Sequence, residues 1–127
     1  MPACASFRYS IPLMQPFRLD LEKLPAANGT LVVRLTGKLS LETVHNFIET
    51  LRPEPSQYLV LDMGGVSFLD SAGVGALVSL FVSRRHHGKS FAVAALTQQG
   101  QAIFQVAGLT KLLPVFPTVD AALVGIA

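Results

Sequence analysis

The chain has one cysteine, Cys4, among 127 residues. That excludes an intramolecular disulfide framework and a cysteine-based zinc site. Charge is equally scarce: 14% of residues are charged and 50% are hydrophobic. A surface so poor in charge should turn some apolar area toward a partner rather than water. The net charge is +2, and the basic residues are scattered, with only Arg84-Arg85 adjacent and no aromatics interleaved in a patch. Nucleic-acid binding is therefore not expected. No run approaches the roughly 18 uninterrupted apolar residues of a membrane span. Residues 1–12 (MPACASFRYSIP) lack a charged n-region and an apolar h-region, so no secretory signal is expected and the location should be cytoplasmic.

Catalytic machinery is missing too. The histidines are His45, His86 and His87. His86 and His87 are adjacent, so on a helix they point about 100° apart and make no two-ligand metal face. Following Arg84-Arg85, they suit a helix end, where cations meet the negative dipole. Around Ser71 the sequence is D-S-A-G rather than the G-x-S-x-G of a nucleophile elbow. Gly73-Val74-Gly75 lacks the third glycine and the acidic partner of a dinucleotide fingerprint, and no P-loop lysine exists. No enzymatic activity, cofactor or metal is expected.

What is present is concentrated between Tyr58 and Gly88. An apolar strand, Tyr58-Leu59-Val60-Leu61, reaches a Gly64-Gly65 turn and resumes as Val66-Ser67-Phe68-Leu69. From Asp70-Ser71-Ala72-Gly73 the spacing becomes helical, so a cluster of small and polar groups sits at a strand-to-helix junction. Such a helix start offers unpaired N–H groups and partial positive charge. Ser71 suits the N-cap, with Asp70 sharing the task. Val74, Leu77, Val78, Phe81 and Val82 form a core face. Ala72, Ala76 and Leu80 leave the flank apolar as well, which suits a docking surface. Gly73 and Gly75 cost helix propensity, which suits another body approaching that backbone.

Elsewhere the periods alternate. Residues 1–16 hold Pro2, Pro12 and Pro16 and read as a poorly ordered lead-in, with Met14 a possible alternative start. One domain should occupy residues 17–127. Phe17–Leu21 and Thr30–Leu35 read as a hairpin around Asn28-Gly29. Leu41, Val44, Phe47, Ile48 and Leu51 predict a helix capped by Ser40 and stopped by Pro53 and Pro55. Phe91–Leu96 reads as a strand, Gln98–Ala107 as a helix ended by Gly108, and Leu112–Phe116 as an edge strand broken by Pro114. Thr118 caps a last helix to Ile126. The order ββαβαβαβα predicts an α/β domain with a mixed, mainly parallel sheet of about five strands, helices packed largely on one face.

The run Val66-Ser67-Phe68-Leu69-Asp70-Ser71-Ala72-Gly73-Val74-Gly75-Ala76-Leu77 resembles the signature of the STAS domain family, as found in bacterial anti-sigma factor antagonists. Leu31–Leu39 is similar to that family's "rl-G-x-L" strand end. Gly108-Leu109, Leu113–Phe116 and Asp120–Leu123 are similar to its C-terminal pattern. The likeness spans about residues 17–125 and implies a STAS-like fold. It also implies an antagonist acting in transcription regulation, which binds an anti-sigma factor with serine kinase activity. The kinase would phosphorylate Ser71 to break the complex, and a serine phosphatase would restore it. The implied partner surface is Asp70, Ser71, Ala72, Gly73, Gly75, Ala76 and Leu80, on a monomer or weak homodimer. In one place the pattern differs: Ser40 stands where many regulatory members carry aspartate. A STAS-type scaffold or accessory subunit of a signalling or lipid-transport complex, with Ser71 a simple cap, is the other reading.

Overall fold

Asn28 and Gly29 take left-handed backbone angles, φ 63° and 73°, and fold one strand back on the next. The computed structural model describes residues 7–10 and 19–126. In it that turn joins β2 (Leu19–Pro25) to β3 (Thr30–Leu39). The antiparallel pairing runs from Leu19↔Gly37 to Pro25↔Leu31. The strands β4 (Tyr58–Leu69), β5 (Ser90–Ala94) and β6 (Val115–Phe116) follow in parallel. With β1 (Phe7–Ser10) they make a six-stranded sheet ordered β1 to β6 as in the chain. β2 to β6 form the expected five-strand mixed sheet. β1 adds a sixth strand inside the segment expected to lack order, pairing antiparallel with β2 from Phe7↔Lys23 to Ser10↔Asp20. An edge strand needs only backbone partners, so no apolar period announced it. The rest of the lead-in, Cys4, Met14 and Phe17 lie outside the described residues.

Between the parallel strands run α1 (Val44–Leu51), α2 (Ser71–His86) and α3 (Gln98–Val106). All three pack on one sheet face, where Phe47, Leu51, Leu77, Leu80 and Phe104 meet Leu21, Leu35, Leu59, Leu61 and Met63. The last helix, α4 (Val119–Ile126), covers the opposite face, with Ala122 against Val32, Val60 and Ala94. β4 is thus buried on both faces over Leu59-Val60-Leu61. That explains its unbroken apolar run, the mark of an interior parallel strand. Beyond the reach of α4 the second face is polar: Arg34 bridges Glu22 at 3.6 Å and Asp62 at 3.4 Å across three strands.

Three local expectations change. Gly64-Gly65 is no turn, because β4 continues through it with a register shift against β3 between Arg34 and Thr36. A Cβ on Gly65 would lie 2.7 Å from the Leu35 carbonyl oxygen, so the bulge needs glycine. The first helix begins at Val44, not after Ser40, with Thr43 at the cap position. Thr43 Oγ1 instead donates to the Lys38 carbonyl at 2.8 Å and accepts from Ser40 N–H at 3.0 Å, pinning a tight turn. Leu41 lies in that turn, 69% exposed, rather than in the core. β6 is two residues long, since a short 3-10 turn (Leu109–Lys111) takes the preceding chain. The caps at Gly108 (φ 74°) and Thr118, whose Oγ1 accepts from Ala121 N–H at 3.1 Å, are as expected.

Candidate functional site

The carboxyl ends of β3 and β4 lie side by side, with Lys38↔Phe68 and Leu39↔Leu69 in register. Open α/β sheets bind their ligands at that end of the parallel strands. Asp70 sits there, between β4 and α2. It is the N-cap: Oδ1 accepts from Gly73 N–H at 2.9 Å in the extended backbone conformation a cap requires. Its other oxygen, Oδ2, accepts from Leu41 N–H at 3.1 Å. One carboxylate therefore ties the β3–α1 turn to the first turn of α2.

This corrects the expected division of labour. Ser71 is not the cap. It occupies the first helical position, is exposed, and its hydroxyl has no hydrogen-bond partner among the described residues. A side chain left free by its neighbour can be modified without unpicking the fold.

The flank of α2 also needs correction. Gly73, Ala76, Leu77, Leu80 and Arg84 are its buried residues, while Val74, Val78 and Phe81 are half-buried. Val82, expected in the core, is 55% exposed. The helix is rotated relative to the expected face because Gly73 faces the sheet, where a Cβ would collide with the Leu39 carbonyl. Leu80 (0% exposed) and Ala76 (7%) are core, so a partner cannot touch them in the folded chain. Of the expected partner surface, Ser71 and Gly75 are exposed and Asp70 and Ala72 half-buried. Gly75 has open space around it, with no atom within 4 Å of a built Cβ.

Apolar groups missed in the sequence complete this surface. A groove of about 400 Å³ runs between α2 and α3, lined by Leu69, Val74, Ile103 and Val106, with Asp70 and Ser71 at its mouth. Val106 is 91% exposed, and Phe68, just before the junction, 37%. Leu41 is held beside Asp70 by the bond described above. Within α3 the core residue is Phe104, buried, while Val106 faces outward. Ser40 is 1% exposed, and its hydroxyl donates to Glu42 at 3.1 Å.

At the far end of α2, Arg84 is buried. Its guanidinium donates to three carbonyls, Ser56 at 2.6 Å, Ser90 at 3.0 Å and Glu54 at 3.3 Å. Burial pushes its pKa below the ordinary arginine value, and the nearby Glu54 charge opposes that. Burial alone would raise the Glu54 carboxyl, but the Ser56 hydroxyl and the Lys23 ammonium, 3.0 Å away, outweigh it and hold the group below the usual range. This cluster locks α2 to the loop before β4, about one helix length from Ser71.

Residues 20–122 match the STAS domain, and the chain belongs to that family. An anti-sigma F factor antagonist of Paenibacillus polymyxa is 25% identical over 92 residues, covering 69% of this chain and 79% of that protein. The crystal structure of an anti-sigma factor antagonist from Mycobacterium paratuberculosis superposes with a TM-score of 0.75 at 24% identity, over 90% of this chain and 98% of that one. The Bacillus cell fate determinant SpoIIAA in its phosphorylated form gives 0.61 at 20% identity, over 81% and 96%.

Proposed function

We propose that this chain is an anti-sigma factor antagonist whose binding is switched off by phosphorylation of Ser71. The observation that carries the reading is the division of labour at the junction. Asp70 caps α2 and ties down Leu41, leaving the Ser71 hydroxyl exposed and unengaged at the mouth of an apolar groove. The partner, an anti-sigma factor with serine kinase activity, covers this mouth through Ser71, Ala72, Gly75 and the exposed Leu41, Phe68 and Val106. A phosphate on Ser71 brings about −1.5 to −2 charges. The N-terminus of α2 tolerates that charge within the fold. Against the apolar partner surface the same group costs desolvation and bulk, so the complex parts without any refolding. The likeness to anti-sigma factor antagonists supports the same role, and one similar protein has been solved in a phosphorylated form.

Co-elution with candidate anti-sigma factors tests the docking. The native chain and Ser71→Ala should both form a complex, and Ser71→Glu should lose it while keeping its thermal stability. Equal binding by Ser71→Glu and the native chain would place the interface elsewhere.

A further inference from the structure

β6 pairs with β5 only at Val93 and Ala94. The Pro114 carbonyl accepts from Val93 N–H at 2.9 Å, but proline has no N–H with which to carry the ladder further. Among the described residues, no strand covers the outer side of β5 over Ser90–Ala92. The sheet edge therefore opens between α2 on one face and α4 on the other. A cavity of about 340 Å³ fills that gap, lined by Phe81, Phe91, Pro114, Phe116 and Ile126. The Phe81 and Phe91 rings, 6.1 Å apart and tilted, form one wall. Opposite, the Phe116 ring lies directly on α4 at Gly125, where a Cβ would collide with it.

The polar residues of this lining are Arg85, Lys89 and Ser90, and none is acidic. Arg85 is exposed and forms no ion pair among the described residues. The Lys89 ammonium donates to the Glu54 carbonyl at a long 3.5 Å. The cavity's size falls within the range of small-molecule sites, and its make-up, an aromatic interior with a few convergent polar groups, is theirs too. The α2–α3 groove differs in sign: it has no cation in its lining and Asp70 at its mouth.

We infer that the sheet-edge cavity binds a medium-chain fatty acid, the alkyl chain between Phe81, Phe91 and Phe116 and the carboxylate on Arg85. Lys89 supports that charge from the rim. A carboxylate on a guanidinium makes charge-assisted paired hydrogen bonds that no neutral head group can reproduce. This site is separate from the Ser71 surface and does not depend on the role proposed for it.

An amide NMR titration of the full chain with decanoate tests the assignment. Saturable shifts are expected at Ser90, Phe91, Phe116 and Gly125, on both sides of the sheet edge. Arg85→Glu and Arg85→Gln, both at an exposed position, should keep the native spectrum and bind at least about tenfold more weakly. The uncharged 1-decanol should be weaker by a similar factor. Three results would overturn the assignment: shifts that do not saturate, shifts centred on Ile103 and Val106, or affinity unchanged by removing either charge.

Discussion

Gly73 and Gly75 lie two residues apart on α2, yet the structure assigns their alanine substitutions opposite signs. A Cβ on Gly73 would collide with the Leu39 carbonyl and lie 2.8 Å from Leu69 Cδ1. The carbonyl belongs to the β3 backbone, so the start of α2 must move instead. Overpacking of this kind costs about 1–3 kcal/mol, and the better helix propensity of alanine returns about 1 kcal/mol at most. With a backbone carbonyl as the obstacle the cost lies in the upper part of that range, so the net expectation is a loss of about 1–2 kcal/mol. Moving the α2 start also strains the Asp70–Gly73 bond that caps it. At Gly75 nothing lies within 4 Å, so the propensity gain stands alone, about 0.5–1 kcal/mol of added stability. For a chain of this size each kcal/mol moves the melting temperature by roughly 3–5 °C. Differential scanning calorimetry should therefore place Gly75→Ala above the native chain and Gly73→Ala well below it. If the partner approaches the α2 backbone at Gly75, the stabilised variant should also bind it more weakly. A melting temperature lowered by Gly75→Ala, or left unchanged by Gly73→Ala, would refute the packing described for this turn.

Further outcomes follow from the same contacts. Asp70→Ala should lose about 1–2 kcal/mol in chemical denaturation, whereas Ser71→Ala should stay within about 0.5 kcal/mol of native. The reverse order would restore Ser71 as the cap. Arg84→Ala removes a buried guanidinium that donates to three part-buried carbonyls and should cost about 3 kcal/mol, measured by urea unfolding. The Glu54 carboxyl is held below its ordinary pKa in the fold. Its stabilising contribution is thus complete above the unfolded-state value and lost as pH falls through the folded one. Glu54→Gln should accordingly flatten the acid limb of the stability-against-pH curve and lower the neutral plateau; an unchanged acid limb would assign that slope to other groups.

Much of the fold was legible because period and punctuation agreed. The hairpin turn at Asn28-Gly29, the caps at Gly108 and Thr118, and the alternation of strand and helix all follow from local chemistry. Elements decided by tertiary contact were not legible. Gly64-Gly65 reads as a turn in isolation, and only the approach of the Leu35 carbonyl makes it a bulge within a continuous strand. On α2, which is apolar nearly all round, hydrophobicity could not choose the buried face; the hard contact at Gly73 does. A usable signal did exist. Gly73, Leu77, Leu80 and Arg84 recur at helical spacing, and that stripe carries Arg84 inward, although a charged residue in a last turn suggests solvent. At the site, the D-S-A-G run located the serine. Which residue capped and which stayed free depended on Leu41, 29 positions earlier, bonding to Asp70.

The proposed role requires the exposed Ser71 hydroxyl to be offered to another protein's chemistry. Its most direct test is intact-mass and peptide mass spectrometry after incubation with ATP and the candidate anti-sigma factor kinase. One phosphate on Ser71, absent from Ser71→Ala and accompanied by release of the partner, is the predicted result. No phosphate uptake by a chain that binds the kinase, or uptake undiminished in Ser71→Ala, would contradict it.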